Sequence, residues 1–200
     1  MILLAPKVSA KGLSEAEAQR VYHINDLLST LDGRCREFKA ALALFDKSES
    51  AIHDSATTAE NRATYGEWLF MAAREGAATI YKFDEDFEAI GINLNKSPTV
   101  LQKIDTTAKK AAEKSFSVAF PGIFGVRDST QHGGAIFGTP EKVQQHQETP
   151  FYIAINNIEG RTLKTTFKNK VVGLDITEQS LKQLEAIRDM IWEAFRPASS

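Results

Sequence analysis

The apolar residues in the first quarter of the chain recur in strictly alternating steps of three and four. They are Val21, Ile24, Leu28, Leu31, Cys35, Phe38, Leu42 and Phe45. Such steps return to one face of an α-helix, so the pattern predicts a long helix that packs lengthwise against other helices. Ser14 can cap its start, with Glu15 and Glu17 in the first turn, and Lys47-Ser48-Glu49-Ser50 is its predicted end.

Three further segments have a helical pattern. Residues 58–89 place apolar or small side chains every three or four positions, and Gly91 follows as a helix stop. Ser97-Pro98 predicts the start of a third helix, because serine can cap and proline fits the first helical position. Pro121-Gly122 opens a short fourth helix, which we expect Gly133-Gly134 to end.

The periodicity then changes to that of β-strands. Residues 137–150 are polar and glutamine-rich, which predicts a loop. Three β-rich runs follow, at residues 151–155, 162–167 and 171–176, with turn residues between them. Residues 177–195 form an amphipathic helix that Pro197 stops. The predicted fold is mainly α: one domain, residues 1–200, with an antiparallel bundle of four to five helices and a small antiparallel β appendage at about 151–176 before the C-terminal helix.

Composition limits the partners and the compartment. At 200 residues the chain can bury the core of one domain, and its net charge of −2 means that nucleic acid must be held by a local basic patch. The single cysteine, Cys35, lies on the apolar stripe of the first helix, so we expect an unreactive buried thiol. The apolar N-terminal run is too short for a signal peptide, and no run is long enough to span a bilayer. We therefore expect a cytoplasmic protein without membrane contact.

The segment Arg127-Asp128-Ser129-Thr130-Gln131-His132 carries the strongest chemical signal. An arginine can hold a phosphate in a forked contact, and a histidine can transfer a proton near neutral pH, which together suffice to cleave RNA without a metal. On a helix the two side chains differ by about 140° in direction and can line the rim of one cleft. The same spacing also suits an arginine on a solvated face and a histidine that caps the following glycines, so both interpretations stay open.

This segment and its helical context resemble the HEPN superfamily of prokaryotic helical proteins. The resemblance covers mainly residues 13–135, and its specific part runs from Arg127 to His132 after the entry Phe120-Pro121-Gly122-Ile123. It implies a metal-independent endoribonuclease, of toxin or defence type, at a site shared by two protomers. Arg127 would bind the scissile phosphate, His132 would act as general base or general acid, and Asp128 would orient one of them. The implied partners are a second copy of the chain, RNA, and an antitoxin or regulatory protein.

Other groups of residues give weaker evidence for a functional site. His23 with Asp26, and His53 with Asp54, could hold zinc, but their spacing matches neither a His-x-x-x-His pair nor a cysteine cluster. We therefore expect no metal site and no cofactor. Two further functions stay open: a non-catalytic helical module that binds RNA, a nucleotide or a protein, and a structural dimer that uses the apolar seam of the first helix. A solvent-accessible cleft that contains both Arg127 and His132, especially one shared across a two-fold axis, would favour the enzyme.

Overall fold

The computed structural model describes residues 4–136, 141, 144 and 157–196, and the side chains of residue 129 and residues 131–136 lie outside the description. The described elements are α1 (Glu15–His53), α2 (Ala59–Asn95), α3 (Pro98–Leu101), α4 (Thr106–Ala119), α5 (Ile123–Ile136), β1 (Asn157–Glu159), β2 (Thr162–Phe167), β3 (Lys170–Asp175) and α6 (Glu178–Ala194). The predicted fold class is confirmed: the protein is mainly helical, with a small antiparallel sheet before the last helix. In the part of the chain described, none of the helices has both the length and the apolar character needed to cross a bilayer.

The chain divides into two compact units. The first consists of Met1–Arg36, Lys82–Ala119 and Lys182–Ser200, and the second consists of Glu37–Tyr81 and Phe120–Leu181. Each long helix, α1 and α2, contributes residues to both units. The motif segment and the sheet belong to the second unit, so the candidate site can be described within that unit alone.

In the first unit, α6 is fixed against the N-terminal half of α1. Trp192 is buried, and its indole N–H donates a hydrogen bond of 2.9 Å to the Leu28 carbonyl. Arg188, one turn earlier, pairs with Asp32 at 2.6 Å. A buried hydrogen bond and a partly buried ion pair therefore hold the C-terminal helix in register with the apolar seam that the sequence predicted.

In the second unit, small residues of α2 allow close packing. A Cβ atom on Gly76 would lie 3.0 Å from the end of the Ile176 side chain and 3.3 Å from the Phe38 ring, which is closer than most real contacts. Arg161 donates hydrogen bonds to Asp46 and, at 2.6 Å, to Glu49, both on α1. The start of β2 is therefore tied to the C-terminal half of α1.

The sheet has the strand order β1-β2-β3, and both pairs are antiparallel. The β2–β3 register pairs Leu163 with Leu174 and Phe167 with Lys170. The turn between them has two residues, Lys168 and Asn169, with φ values of 49° and 62°. Two positive φ angles are the signature of a type I′ turn, which usually favours asparagine or glycine rather than lysine. This turn places Lys168 directly beside Phe167 at the tip of the hairpin.

Both long helices extend beyond their predicted ends. α1 continues to His53, because Ser48 in the predicted stop is buried and its hydroxyl donates a 2.8 Å hydrogen bond to the carbonyl one turn earlier. α2 continues through Gly91, because Leu94 in the next turn is fully buried. In each case the burial of one more turn outweighs a local stop signal.

The third predicted helix is in fact two helices, α3 and α4. The break occurs before Asp105, whose carboxylate accepts hydrogen bonds from the backbone N–H groups of Thr107 (2.9 Å) and Ala108 (3.0 Å) and so caps α4. The predicted helix start is confirmed, since Ser97 is the N-cap residue and Pro98 is the first helical residue, but the Ser97 hydroxyl makes no capping hydrogen bond.

The later boundaries are mixed in outcome. α5 continues through Gly133-Gly134 to Ile136, so the predicted stop after His132 is wrong. β1 occupies Asn157–Glu159, where the sequence suggested a turn, while β2, β3 and α6 lie within one residue of their predicted bounds. The strand predicted at 151–155 lies outside the described residues, and so does most of the loop predicted at 137–150. The two residues of that segment that the structure describes, 141 and 144, are helical, so the predicted loop is wrong there.

Candidate functional site

One buried row of side chains fixes α5 in the second unit. Ile123, Val126 and Thr130 are buried, and they follow one another at steps of three and four. The Thr130 hydroxyl donates a 2.8 Å hydrogen bond to the carbonyl three residues earlier, and its own carbonyl accepts one of 3.2 Å from Arg74. Because this row faces the core, Arg127 lies at the side of the buried stripe rather than within it.

Arg127 is half-buried, and its guanidinium lies over the ring of Tyr81. The guanidinium carbon is 4.6 Å from the ring centroid, well within the range of a cation–π interaction. Within the described residues, the buried Nε of Arg127 has no hydrogen-bond partner.

The other arginines of the chain differ from Arg127. Each of them donates a hydrogen bond to, or forms an ion pair with, a carbonyl or carboxylate oxygen of the protein; they are Arg20, Arg34, Arg36, Arg62, Arg74, Arg161, Arg188 and Arg196. In the described part of the chain, no such oxygen partner is recorded for the Arg127 guanidinium. An aromatic ring therefore holds this charge in place, and none of the carboxylates in the described residues pairs with it.

The other two predicted site residues lie on the same helix. Asp128 is partly exposed, and among the described residues it forms no ion pair with Arg127. His132 lies in α5 five residues after Arg127, about 7.5 Å along the helix axis, and its side chain is outside the description. Arg127, Asp128 and His132 thus all lie in α5. The contact between the Arg127 side chain and Tyr81 could not be seen in the sequence.

Two further aromatic rings, Phe124 and Phe167, extend from the Tyr81 ring that contacts this arginine. The centroids of Tyr81 and Phe124 are 6.3 Å apart with the planes tilted by 52°, and those of Phe124 and Phe167 are 5.8 Å apart at 75°. Phe124 is 52% exposed. The ammonium of Lys168 lies 5.2 Å from the centroid of Phe167. We call these residues, with Arg127, the aromatic–cationic surface.

Two glycines allow the hairpin to lie against α5. A Cβ atom on Gly125 would lie 2.9 Å from two atoms of the Phe167 ring, and one on Gly122, where φ is +82°, would lie 3.1 Å from Val172. The absence of a side chain at Gly125 therefore lets the Phe167 ring approach the helix backbone. This close approach holds Phe167 in contact with Phe124.

Most of this surface could not be predicted from the sequence. The helical pattern of residues 123–126 predicts an apolar packing contact for Phe124, although the ring is half exposed. Tyr81 comes from α2, a distant part of the chain. One signal was present: Phe167-Lys168-Asn169-Lys170 places two lysines and an aromatic ring around a turn.

Where the structure describes them, the remaining titratable groups do not form a second site of this kind. Within the residues described here, no group of three or more histidine, cysteine, aspartate or glutamate side chains could hold a metal ion. Burial raises the pKa of the Cys35 thiol to about 12. Burial, with repulsion from Glu88 and Glu85, raises the pKa of Asp84 to about 6.

Comparisons with protein-family models, with curated proteins and with solved structures find no match to this chain. The resemblance to the HEPN superfamily therefore stays a prediction from the motif and the order of the helices. A functional assignment must depend on the chemistry of Arg127, His132 and the surface around them.

Proposed function

We propose that the protein is a HEPN-like, metal-independent endoribonuclease whose site is built by two protomers. The observation that supports this most is the guanidinium of Arg127, which has no oxygen partner among the described residues and is held against Tyr81. Arginine is the side chain best suited to a phosphate, because its planar group donates two parallel hydrogen bonds. A stacked and unneutralised arginine can bind this ligand without first breaking an ion pair.

In the proposed reaction, Arg127 binds the scissile phosphate and stabilises the extra negative charge of the transition state. Contact with Tyr81 limits the rotamers of the arginine, so less conformational entropy is lost when the phosphate binds. A phosphate can reach the guanidinium only if it lies near the surface. Arg127 meets this condition because its side chain is only half-buried.

His132 provides the proton transfer. As a general base it removes the proton of the ribose 2′-OH, whose oxygen then attacks the adjacent phosphorus. The bond to the 5′-oxygen breaks, and this leaving oxygen takes a proton from the His132 of the second copy. The products are a 2′,3′-cyclic phosphate and a 5′-hydroxyl. The continuation of α5 to Ile136 supports this role, because position 132 lies inside a helix and not at a frayed end.

A non-catalytic RNA-binding module is the second candidate. One observation favours it: the aromatic–cationic surface is complete without His132. Aromatic rings beside cations bind single strands of nucleic acid in many unrelated folds. The two candidates share Arg127 as the phosphate-binding residue and differ only in whether His132 transfers a proton.

Cleavage of an end-labelled structured RNA in EDTA tests the proposal. We expect the wild-type protein to leave cyclic phosphate ends, and we expect Arg127→Ala and His132→Ala each to lower the rate by roughly 100-fold or more. Arg36→Ala is the matched control, since the Arg36 side chain is 75% exposed and its variant should cleave normally. One 2′-deoxynucleotide at the cleavage position should block the reaction, because the nucleophile is then missing.

Three outcomes decide between the candidates. Loss of cleavage in both motif variants, with a dimer in sedimentation velocity, supports the endoribonuclease. RNA binding that Arg127→Ala abolishes, without cleavage by the wild type, supports the binding module. If the wild type neither binds nor cleaves RNA, or if all variants cleave equally, both candidates are wrong.

A further inference from the structure

We infer that Phe124 is a stacking platform for an unpaired nucleobase, so that the RNA recognised at this site is single-stranded. The inference rests on the proposed function and adds the substrate class. It is carried by the exposure of one ring, the orientation of the rings next to it, and the cations over those rings.

Phe124 keeps half of its surface exposed despite two aromatic contacts. The ring is 52% exposed although it contacts both Tyr81 and Phe167. Those two rings are tilted from it by 52° and 75°, so neither of them stacks parallel on Phe124. A nucleobase binds an aromatic side chain by such parallel stacking, and every base has a face that can do so.

The charges around Phe124 match a nucleotide. Arg127 lies one turn further along α5, and Lys168 lies at the tip of the adjacent hairpin, with Lys170 exposed just after it. Asp128 is the acidic neighbour on the helix, and these residues together keep a positive balance. A nucleotide within a strand carries a phosphate on each side of its base, so cations over the two rings that contact Phe124 suit it.

An unpaired base fits this site better than a duplex does. Phe124 belongs to a helix that the hairpin partly covers, and the ring can stack only on a base whose face is free. In a duplex both faces are covered by neighbouring bases, and removing one base from the stack is energetically unfavourable. Binding to duplex RNA would use the cations alone and would therefore be weaker.

The test uses fluorescence anisotropy with a labelled 2′-O-methyl oligoadenylate, which cannot be cleaved by 2′-OH attack. The strand is offered alone and annealed to its complement. We expect Phe124→Leu to weaken single-strand binding roughly tenfold and to leave duplex binding unchanged, whereas Phe124→Trp should retain both. Trp68→Leu is the matched control, because Trp68 is also an exposed aromatic residue of the second unit.

A second variant separates binding from folding. Lys168→Gly removes one cation and relieves the positive φ of 49°, so the hairpin should become more stable while single-strand binding weakens. A loss of affinity in a variant with a higher melting temperature cannot come from unfolding.

The outcomes distinguish this inference from the proposed function. If Phe124→Leu binds the single strand as tightly as the wild type while Arg127→Ala does not, the stacking platform is wrong and the proposed function stands. Equal losses in Phe124→Leu and Trp68→Leu would indicate general apolar adhesion and would also overturn it. If the wild type binds neither form of the oligonucleotide, the inference and the proposed function both fall.

Discussion

Replacing Gly125 by alanine tests the contact between α5 and the hairpin. The added Cβ would lie 2.9 Å from Cγ and Cδ1 of Phe167 and 3.0 Å from its Cβ. These atoms lie at the root of the side chain, so the ring cannot avoid the new methyl group by a small rotation. Gly33 in α1 is the matched control, because a Cβ there meets nothing within 4 Å.

Two opposing effects determine how much Gly125→Ala changes the free energy of unfolding. Alanine is more favourable than glycine inside a helix by about 1 kcal/mol, and this gain applies at both positions. Overpacking at Gly125 opposes it by about 1–3 kcal/mol. We therefore expect Gly33→Ala to raise the free energy of unfolding by about 1 kcal/mol. Gly125→Ala should lower it by about 0–2 kcal/mol, which leaves a difference of about 1–3 kcal/mol between the two variants.

Urea denaturation followed by far-UV circular dichroism measures both free energies. In a Phe167→Ala background the two ring contacts at 2.9 Å disappear and only the 3.0 Å contact with Cβ remains, so Gly125→Ala should destabilise the protein less than it does in the wild-type background. Equal stabilisation by Gly125→Ala and Gly33→Ala in the wild-type background would refute the contact. It would also remove the physical reason for the position of the Phe167 ring beside Phe124.

Three further predictions concern the first unit. Trp192→Phe removes the hydrogen bond to the Leu28 carbonyl and should lower the free energy of unfolding by about 1–3 kcal/mol in urea titrations, whereas an unchanged midpoint would contradict the role of that bond. The folded pKa of Asp84, about 6, is above its ordinary value of 3.8, so its neutral form is favoured in the fold and its contribution to stability is lost as the pH rises from 4 to 6. Asp84→Asn should therefore stabilise the protein at pH 7 and have little effect at pH 4, as thermal melts at the two pH values would show. The Cys35 thiol, with a pKa of about 12, should not react with a thiol reagent at pH 8 until urea unfolds the chain, and rapid labelling of the folded protein would show that it is accessible.

The helical seam of α1 could be predicted because its information is local. Residues at steps of three and four, from Val21 to Phe45, fix both the helix and its buried face. The helix ends could not be predicted in the same way, since they depend on burial by other elements. Leu94 shows the difference: it follows Ile90 by four residues and is fully buried, and this carries α2 past Gly91.

The residues of the candidate site also differ in whether the sequence alone could reveal them. Arg127, Asp128 and His132 could be found in the sequence because they form one short segment. Tyr81 and Phe167 could not, because they reach α5 from another helix and from a hairpin. Glycine is unfavourable inside a helix, and the spacing of residues in α5 does not explain the glycine at position 125. The structure explains it, because a Cβ atom there would meet the ring of Phe167.

The left-handed backbone conformation of Lys168, at the hairpin tip, has an evolutionary consequence. A side chain other than glycine with φ near +49° destabilises its turn by about 1–2 kcal/mol, and one substitution at Lys168 would remove that strain. Selection for stability alone would therefore replace this lysine by glycine or asparagine over time. If selection acts on its charge, sequences descended from a common ancestor should keep lysine or arginine at this position. The residue types found at position 168 in related sequences would therefore indicate whether the hairpin tip is used for binding.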